Sequence, residues 1–381
     1  MRISIVNSLY APYKIGGAEV SVQILAETLV EHGHQVQIIC LNKENNIKKD
    51  VINGVDVCYI PLRNIYWPYD SSSHSKFSRF IWHLIDQYNP IMAYLVGKQL
   101  KEFNPDVVHT NNLTGFSISI WDVVKKMDLK LIHTARDYYL LHPNCTLFKN
   151  GKNMSINCFS VRFWSFFKKI KSRKVDIFVG ISHFMTDIHK SSYFSYGSKF
   201  CTVYNPVKKI NIKTNLNKLN TKTVGFIGRL SKDKGFDQFC DIADSFKDKE
   251  ISINFIAAGR FGNDNDGEYL KEKAIGSGIK LLGFSSLESF LSQVDAVVLP
   301  IKWREPFGRT VVECSYHVPV FTSPMGGVKE LMKNGRNIYD ISEFCNVKNI
   351  FSDCGDVFDE HDAKMFDKDF CSGEYESIYK M

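Results

Sequence analysis

The residues best suited by type and spacing to do chemistry form one string, Trp303-Arg304-Glu305-Pro306-Phe307-Gly308-Arg309-Thr310-Val311-Val312-Glu313. It follows the apolar run DAVVLP and opens a segment of helical periodicity, so it sits where a strand end hands over to a helix. Pro306 and Gly308 stiffen the turn and let main chain approach a ligand closely. Amides that follow such a turn point out of a helix amino terminus and favour an anion. Glu305 and Glu313 then flank a cradle of amide donors with two carboxylate acceptors. A ligand with hydroxyls at both ends and phosphate between them, such as a nucleotide sugar, matches that layout. Either glutamate alone would read as a solvated residue on a capped helix.

A second string, Gly228-Arg229-Leu230-Ser231-Lys232-Asp233-Lys234-Gly235, also follows a strand-like run and precedes a helix. Arg229 and Lys234 can converge on one anion, the first as a bidentate fork and the second as a point charge. Asp264-Asn265-Asp266 could hold a divalent metal, but it lies in the Gly- and Asn-rich stretch FGNDNDGEY, where a turn with an Asp helix cap accounts for it. Cys145 and Cys158 lie near His142 without a CxxC pair, so no metal site is expected there.

Positioning these strings falls to alternating strands and helices. A length of 381 residues against about 150 per domain indicates two domains. Apolar residues at 44% and charged residues at 23% exclude a disordered or fibrous chain. ISIVN, QVQIICL, DVCYI, DVVHT, LKLIHT, VDIFVG and KFCTVYN form a first strand series, and TVGFIG, ISINFIAAG, KLLGF, DAVVLP and VPVFTS a second. The helical stretches between them predict an α/β chain of two doubly wound, Rossmann-like domains, with ligands at the strand carboxyl ends. The polar stretch Val207 to Lys222 reads as the linker. The predicted boundaries are 1–206, 207–342 and a short tail or closing helix, 343–381, with no functional residue placed in it.

The two strings, in this order, resemble the retaining glycosyltransferases of family 4, which have the GT-B fold of two Rossmann-like domains facing across a cleft. Gly16-Gly17-Ala18-Glu19, VYNPV and Pro324-Met325-Gly326-Gly327-Val328-Lys329-Glu330 extend the resemblance over roughly residues 1 to 335. It implies an acceptor-binding first domain and a nucleotide-sugar-binding second one. By this resemblance Arg229 and Lys234 neutralise the donor diphosphate, and Glu313 accepts from the ribose hydroxyls. Glu305 lies under the transferred sugar, with Phe307, Gly308, Arg309 and Thr310 around it. Gly283 and Phe284 frame the base, and Gly16 and Gly17 admit the phosphate. Where the family has a histidine, aligning the strand end places Arg136 toward the donor sugar or its leaving phosphate, and leaves His133 structural. The implied mechanism is front-face displacement through an oxocarbenium-like state. No metal or other cofactor is expected.

Residues 1–200 carry 24 Lys and Arg against 15 Asp and Glu, or +9, so with +7 overall the remainder is at −2. Within that basic half, residues 162–174 interleave aromatic and basic side chains at helical spacing. They read either as an amphipathic helix on an anionic membrane or as an ordinary helix with its rings in the core, and the +9 favours the first. A saccharide or lipid-linked acceptor for lipopolysaccharide or another surface polysaccharide fits this reading. No apolar run reaches the ~18 residues of a membrane span, no secretory leader is evident and the cysteines are scattered, so a cytoplasmic location is expected. No nucleic-acid module is present. A dehydrogenase is not expected, because no GxGxxG string with an acidic residue ~20 positions later follows either domain's first strand. A sugar-nucleotide epimerase and a non-catalytic sugar-nucleotide binder remain as rivals, and slow donor hydrolysis would separate an enzyme from a binder.

Overall fold

The computed structural model describes residues 1–13, 16–70, 74–208, 210, 222–247, 253–262, 264–332, 336–346 and 363–381. The chain divides into two compact units, one of residues 1–147, 154–206 and 366–381, the other of residues 148–153 and 207–365.

The first unit opens with β1 (Arg2–Val6), α1 (Gly17–Glu31), β2 (Gln35–Asn42), β3 (Lys48–Ile52) and β4 (Val55–Pro61). It continues with α2 (Lys76–Gln87), α3 (Pro90–Phe103), β5 (Val107–Thr110), α4 (Ser119–Lys126) and β6 (Lys130–Ala135). The short antiparallel pair β7 (Phe148–Lys149) and β8 (Lys152–Asn153) comes next in the chain but belongs with the second unit. Then follow α5 (Phe159–Ser172), β9 (Ile177–Gly180), α6 (His183–Ser191) and β10 (Lys199–Thr202). The sheet order is β10-β9-β6-β5-β1-β2-β4-β3, parallel throughout except for β3, which pairs antiparallel with β4. β5 and β9 are buried at every residue; β9 appears in the sequence as an unbroken apolar run, whereas β5 takes His109 and Thr110 into the core.

The second unit runs β11 (Lys222–Ile227), α7 (Phe236–Asp244), β12 (Ile253–Ala258), α8 (Asn265–Gly276), β13 (Lys280–Gly283) and α9 (Leu287–Leu291). After these come β14 (Ala296–Leu299), α10 (Arg309–Ser315), β15 (Val320–Thr322), α11 (Val328–Leu331) and β16 (Ile338–Asp340). Its six parallel strands lie in the order β13-β12-β11-β14-β15-β16. The order reverses between β11 and β14, the switch point beside which doubly wound sheets bind ligands. Both chemical strings leave these two neighbouring strands.

Of the two readings of residues 343–381, the closing helix is the one present. Helix α12 (Lys368–Lys380) belongs to the first unit and packs on α1. Cys371, Tyr375, Ile378 and Tyr379 are buried with Val22, Leu25 and Leu29 of α1 in one core. Helix α12 docks because its stripe, spaced four, three and one residues apart, needs apolar cover. Within 343–381, residues 347–362 lie outside the described residues, as does most of the expected linker.

Candidate active site

The site of the second unit is built where β11 and β14 end. The backbone carbonyl of Asp233 accepts the amides of Lys302 at 3.0 Å and Trp303 at 3.4 Å, stitching the two strings together. Gly235, at φ +79, passes so close to Pro300 that a Cβ would lie 1.7 Å from its carbonyl oxygen. No larger residue fits there, so this glycine sets the spacing between the strings. Lys234 Nζ then reaches Glu305 Oε2 at 2.5 Å and lies 5.0 Å from the Trp303 ring centroid. Arg229 is exposed and pairs with Asp233 at 2.8 Å. Thus the structure brings Arg229, Lys234 and Glu305 to one edge of the sheet.

The turn before α10 is held from below. Gly308, at φ +95, takes the helix N-cap position with no side chain capping the helix. A Cβ on Gly326 would fall 2.4 Å from the Glu305 carbonyl oxygen, and the Gly327 amide donates to that same carbonyl at 2.8 Å. The Pro324–Glu330 string thereby fixes the main chain of Glu305. Phe307 is buried, so only its main chain is a candidate contact. Thr310 lies in the first turn of α10 and is partly exposed. Glu313 Oε1 accepts from Arg309 Nε at 2.8 Å and Nη2 at 2.6 Å. Burial raises its carboxyl pKa, and the Arg309 charge pulls it partly back.

At the end of β13, Gly283 has φ +68 and its carbonyl accepts the Gly259 amide at 2.8 Å. Phe284 is 76% exposed, with the Arg260 guanidinium 4.8 Å from its ring centroid. Arg260 escaped the sequence reading; its carbonyl accepts the Leu230 amide at 3.0 Å, which ties it to the Arg229 string. Asn153 of the β7–β8 pair was missed as well. Its Nδ2 donates to the Lys302 carbonyl at 2.8 Å and its Oδ1 accepts the Arg304 amide at 3.0 Å. The Asn-Gly dipeptide ahead of it signals a turn, but nothing local says where that turn docks. Asp264 caps α8 through the Gly267 amide at 2.9 Å and Asp266 pairs with Lys232 at 2.6 Å, so both carboxylates have structural partners.

In the first unit, Gly16 is the N-cap of α1, and its amide donates to Glu19 Oε2 at 2.8 Å. Gly17 begins the helix, and Lys14 and Ile15 of the same loop lie outside the described residues. Arg136 follows β6 and is only 6% exposed. Its Nε donates to Asn111 Oδ1 at 2.8 Å and its Nη1 to Asn205 Oδ1 at 2.5 Å, the latter within the VYNPV string. Burial lowers its pKa, yet a guanidinium stays charged at neutral pH. His133 is buried, lies 3.0 Å from Thr110 Oγ1 and packs against Trp121 and Phe178, the structural place expected of it.

Helix α5 holds most of residues 162–174. Its buried residues are Val161, Ser165, Lys168 and Ser172, while Phe159, Phe163, Phe166, Phe167 and Ile170 are exposed. The rings do not face the core.

Comparison with known proteins agrees with this architecture. The family model described as Glycosyltransferase Family 4 matches residues 15–209, and that described as Glycosyl transferases group 1 matches residues 207–350. A Klebsiella pneumoniae relative, described as an uncharacterized 42.6 kDa protein in the cps region, is 44% identical over 100% of both chains. An uncharacterized glycosyltransferase of Methanocaldococcus jannaschii is 24% identical over 88% of this chain and 84% of its own. Among solved structures, sucrose-phosphate synthase from Thermosynechococcus elongatus has a TM-score of 0.73 at 14% identity, covering 100% of this chain and 98% of that one. The lipopolysaccharide outer core galactosyltransferase WaaB has a TM-score of 0.61 at 16% identity, covering 100% of both chains. At such identities the structures speak for the fold alone. Matched over both units by its sequence, the chain belongs to the family 4 glycosyltransferases, with the two Rossmann-like domains of GT-B.

Proposed function

We propose that this glycosyltransferase is a retaining, metal-independent hexosyltransferase using a nucleotide-diphosphate sugar. Its acceptor is a saccharide or a lipid-linked acceptor in the assembly of a bacterial surface polysaccharide or lipopolysaccharide. The observation that carries the reading is the Lys234–Glu305 contact at 2.5 Å between the two strings at the β11/β14 switch point. It sets an ammonium, with the Arg229 guanidinium on the same string, beside a turn whose helix start has no side-chain cap. Charge growing on a departing diphosphate is then met by fixed cations rather than by a metal. Glu305 lies under the transferred sugar, Phe307, Gly308, Arg309 and Thr310 surround its hydroxyls and Glu313 accepts from the ribose. Gly283 and Phe284 frame the base, with Arg260 stacked behind the ring. From the first unit, Gly16 and Gly17 admit the phosphate and Arg136 contacts the donor sugar or its leaving phosphate.

The Klebsiella relative's place in a cps region supports the polysaccharide assignment. Among the described residues no helix is long and apolar enough to cross a membrane. We place the enzyme in the cytoplasm, peripheral to the inner face of the plasma membrane, with residues 162–174 on anionic lipid.

The test is a panel of nucleotide sugars screened for thermal stabilisation, followed by hydrolysis of the stabilising donor without acceptor, with and without excess chelator. Slow hydrolysis that survives the chelator is expected. Stabilisation without any turnover would make the chain a binder, and abolition by chelator would overturn metal independence.

A further inference from the structure

Helices α5 and α2 both turn large apolar side chains to solvent. In α5 the interior receives a valine, a lysine and two serines, and solvent receives four phenylalanines and an isoleucine. Phe159 is 84% exposed and Phe166 66%. In α2 the buried residues are Trp82 and Asp86, while Phe77, Phe80 and Leu84 are exposed, Phe77 at 75%. Lys168 is kept inside by the Tyr139 carbonyl, 2.7 Å from its Nζ, and by the Tyr139 ring, whose centroid lies 3.5 Å away. The two helices are locked together. Gln87 Nε2 donates to the Trp164 carbonyl at 2.9 Å, and Phe80 meets the Trp164 ring edge-on at 5.7 Å. Between them runs a groove of about 810 Å³ lined by Leu84, Gln87, Phe159, Arg162, Phe163 and Phe166 among others. Scattered surface phenylalanines need no explanation, but a continuous, preformed apolar face does.

Charge identifies what covers it. α5 contains no carboxylate, and the one carboxylate of α2, Asp86, is buried. Arg162 is exposed and lines the groove, and Lys76 and Arg79 are exposed on α2. A second copy of this chain would bring these cations against themselves on a protein already at +7. Apolar rings rimmed by cations match an anionic bilayer, with rings at acyl depth and cations at the headgroups.

We infer that α2 and α5 together form one membrane-docking face, seated on anionic lipid, rather than residues 162–174 acting alone. The inference deepens the membrane contact proposed above, yet it rests on this surface and needs no donor chemistry.

Vesicles of phosphatidylcholine, with or without a minority of phosphatidylglycerol, are sedimented with the full chain at low and high salt. The wild type is expected to sediment only with the anionic vesicles and less so in high salt. Phe77→Glu/Phe80→Glu on α2 and Phe163→Glu/Phe166→Glu on α5 should each reduce binding at least tenfold while donor hydrolysis without vesicles is unchanged. Arg79→Gln/Arg162→Gln should cost about fivefold per cation removed. Circular dichroism checks that each variant is folded, and exposed sites should leave it so. Undiminished binding by the α2 pair would overturn the shared face. Equal binding to neutral vesicles would overturn the anionic partner, as would dimerisation of the wild type without vesicle binding. Loss of hydrolysis with vesicle binding intact would strike the transferase chemistry only.

Discussion

Lys234 is the residue on which the proposed chemistry turns. Its ammonium is already committed to Glu305, so the donor's diphosphate finds a cation that needs no reorganisation. Lys234→Ala removes that preorganised donor and should lower turnover by about 10²–10³, with thermal unfolding near that of wild type. Arg229→Ala should behave alike, because its exposed pair with Asp233 contributes little to the fold. A tenfold or smaller drop in both would place the diphosphate elsewhere. These residues could be read from the sequence because cation, glycine and strand end fall within a few positions of one another. Arg260 and Asn153 could not, since each enters the site through pairing with a distant segment. Arg136 was legible as a polar residue at a strand end. Its two partners, Asn111 and Asn205, lie on other segments and left no mark beside it.

Among the elements, β5, β6 and α6 bury histidines deep in the first unit. Burial is the main cause in each case, holding His133 at about 3, His189 at about 4 and His109 well below the ordinary imidazole range. The folded chain therefore binds fewer protons than the unfolded one between about pH 4 and 6.5, and stability rises with pH across that window. Going from pH 7 to 5 should remove about 2 kcal/mol per histidine. Half-buried His83, at about 4, adds to the loss. Asp86 and Asp137, raised by burial to about 7 and 6, act in the opposite direction and offset part of it. Urea midpoints at the two pH values should fall on acidification, and less steeply for His189→Gln. A midpoint that rises on acidification would mean these imidazoles are charged in the fold. The strands carrying them were legible as apolar runs. β3 was not, because its residues are exposed and carry no pattern of burial. α5 was half legible: the period showed two stripes, but not that lysine and serine would turn inward while phenylalanine turned out.

At the scale of the whole molecule, the last helix completes the first unit, although about 160 residues of the other unit separate the two in sequence. The stripe Cys371, Tyr375, Ile378, Tyr379 was present in the sequence, but a cysteine, two phenols and an internal glycine make a faint apolar signal. Its fit is specific. Tyr379 Oη lies 2.8 Å from His109 Nδ1, Tyr375 Oη lies 3.2 Å from Thr134 Oγ1, and the Tyr379 carbonyl accepts Lys130 Nζ at 2.9 Å. At the rim His32 reaches Glu376 at 2.6 Å and Lys368 pairs with Glu31. Removing residues 366–381 would bare α1's apolar stripe and strip His109 of a buried partner, each such orphaned group costing about 1–3 kcal/mol. A chain ending at residue 365 should accordingly lose cooperative unfolding of its first unit. Tyr375→Ala is the milder form: a large buried aromatic replaced by alanine costs about 3–5 kcal/mol, a large share of a domain's ~5–15 kcal/mol stability. Ser377→Ala, on the exposed side of the same helix, is the control and should change little. If the urea midpoint of Tyr375→Ala matches that of Ser377→Ala, the helix only rests on the first unit, and the crossing back of the chain contributes nothing to holding it folded.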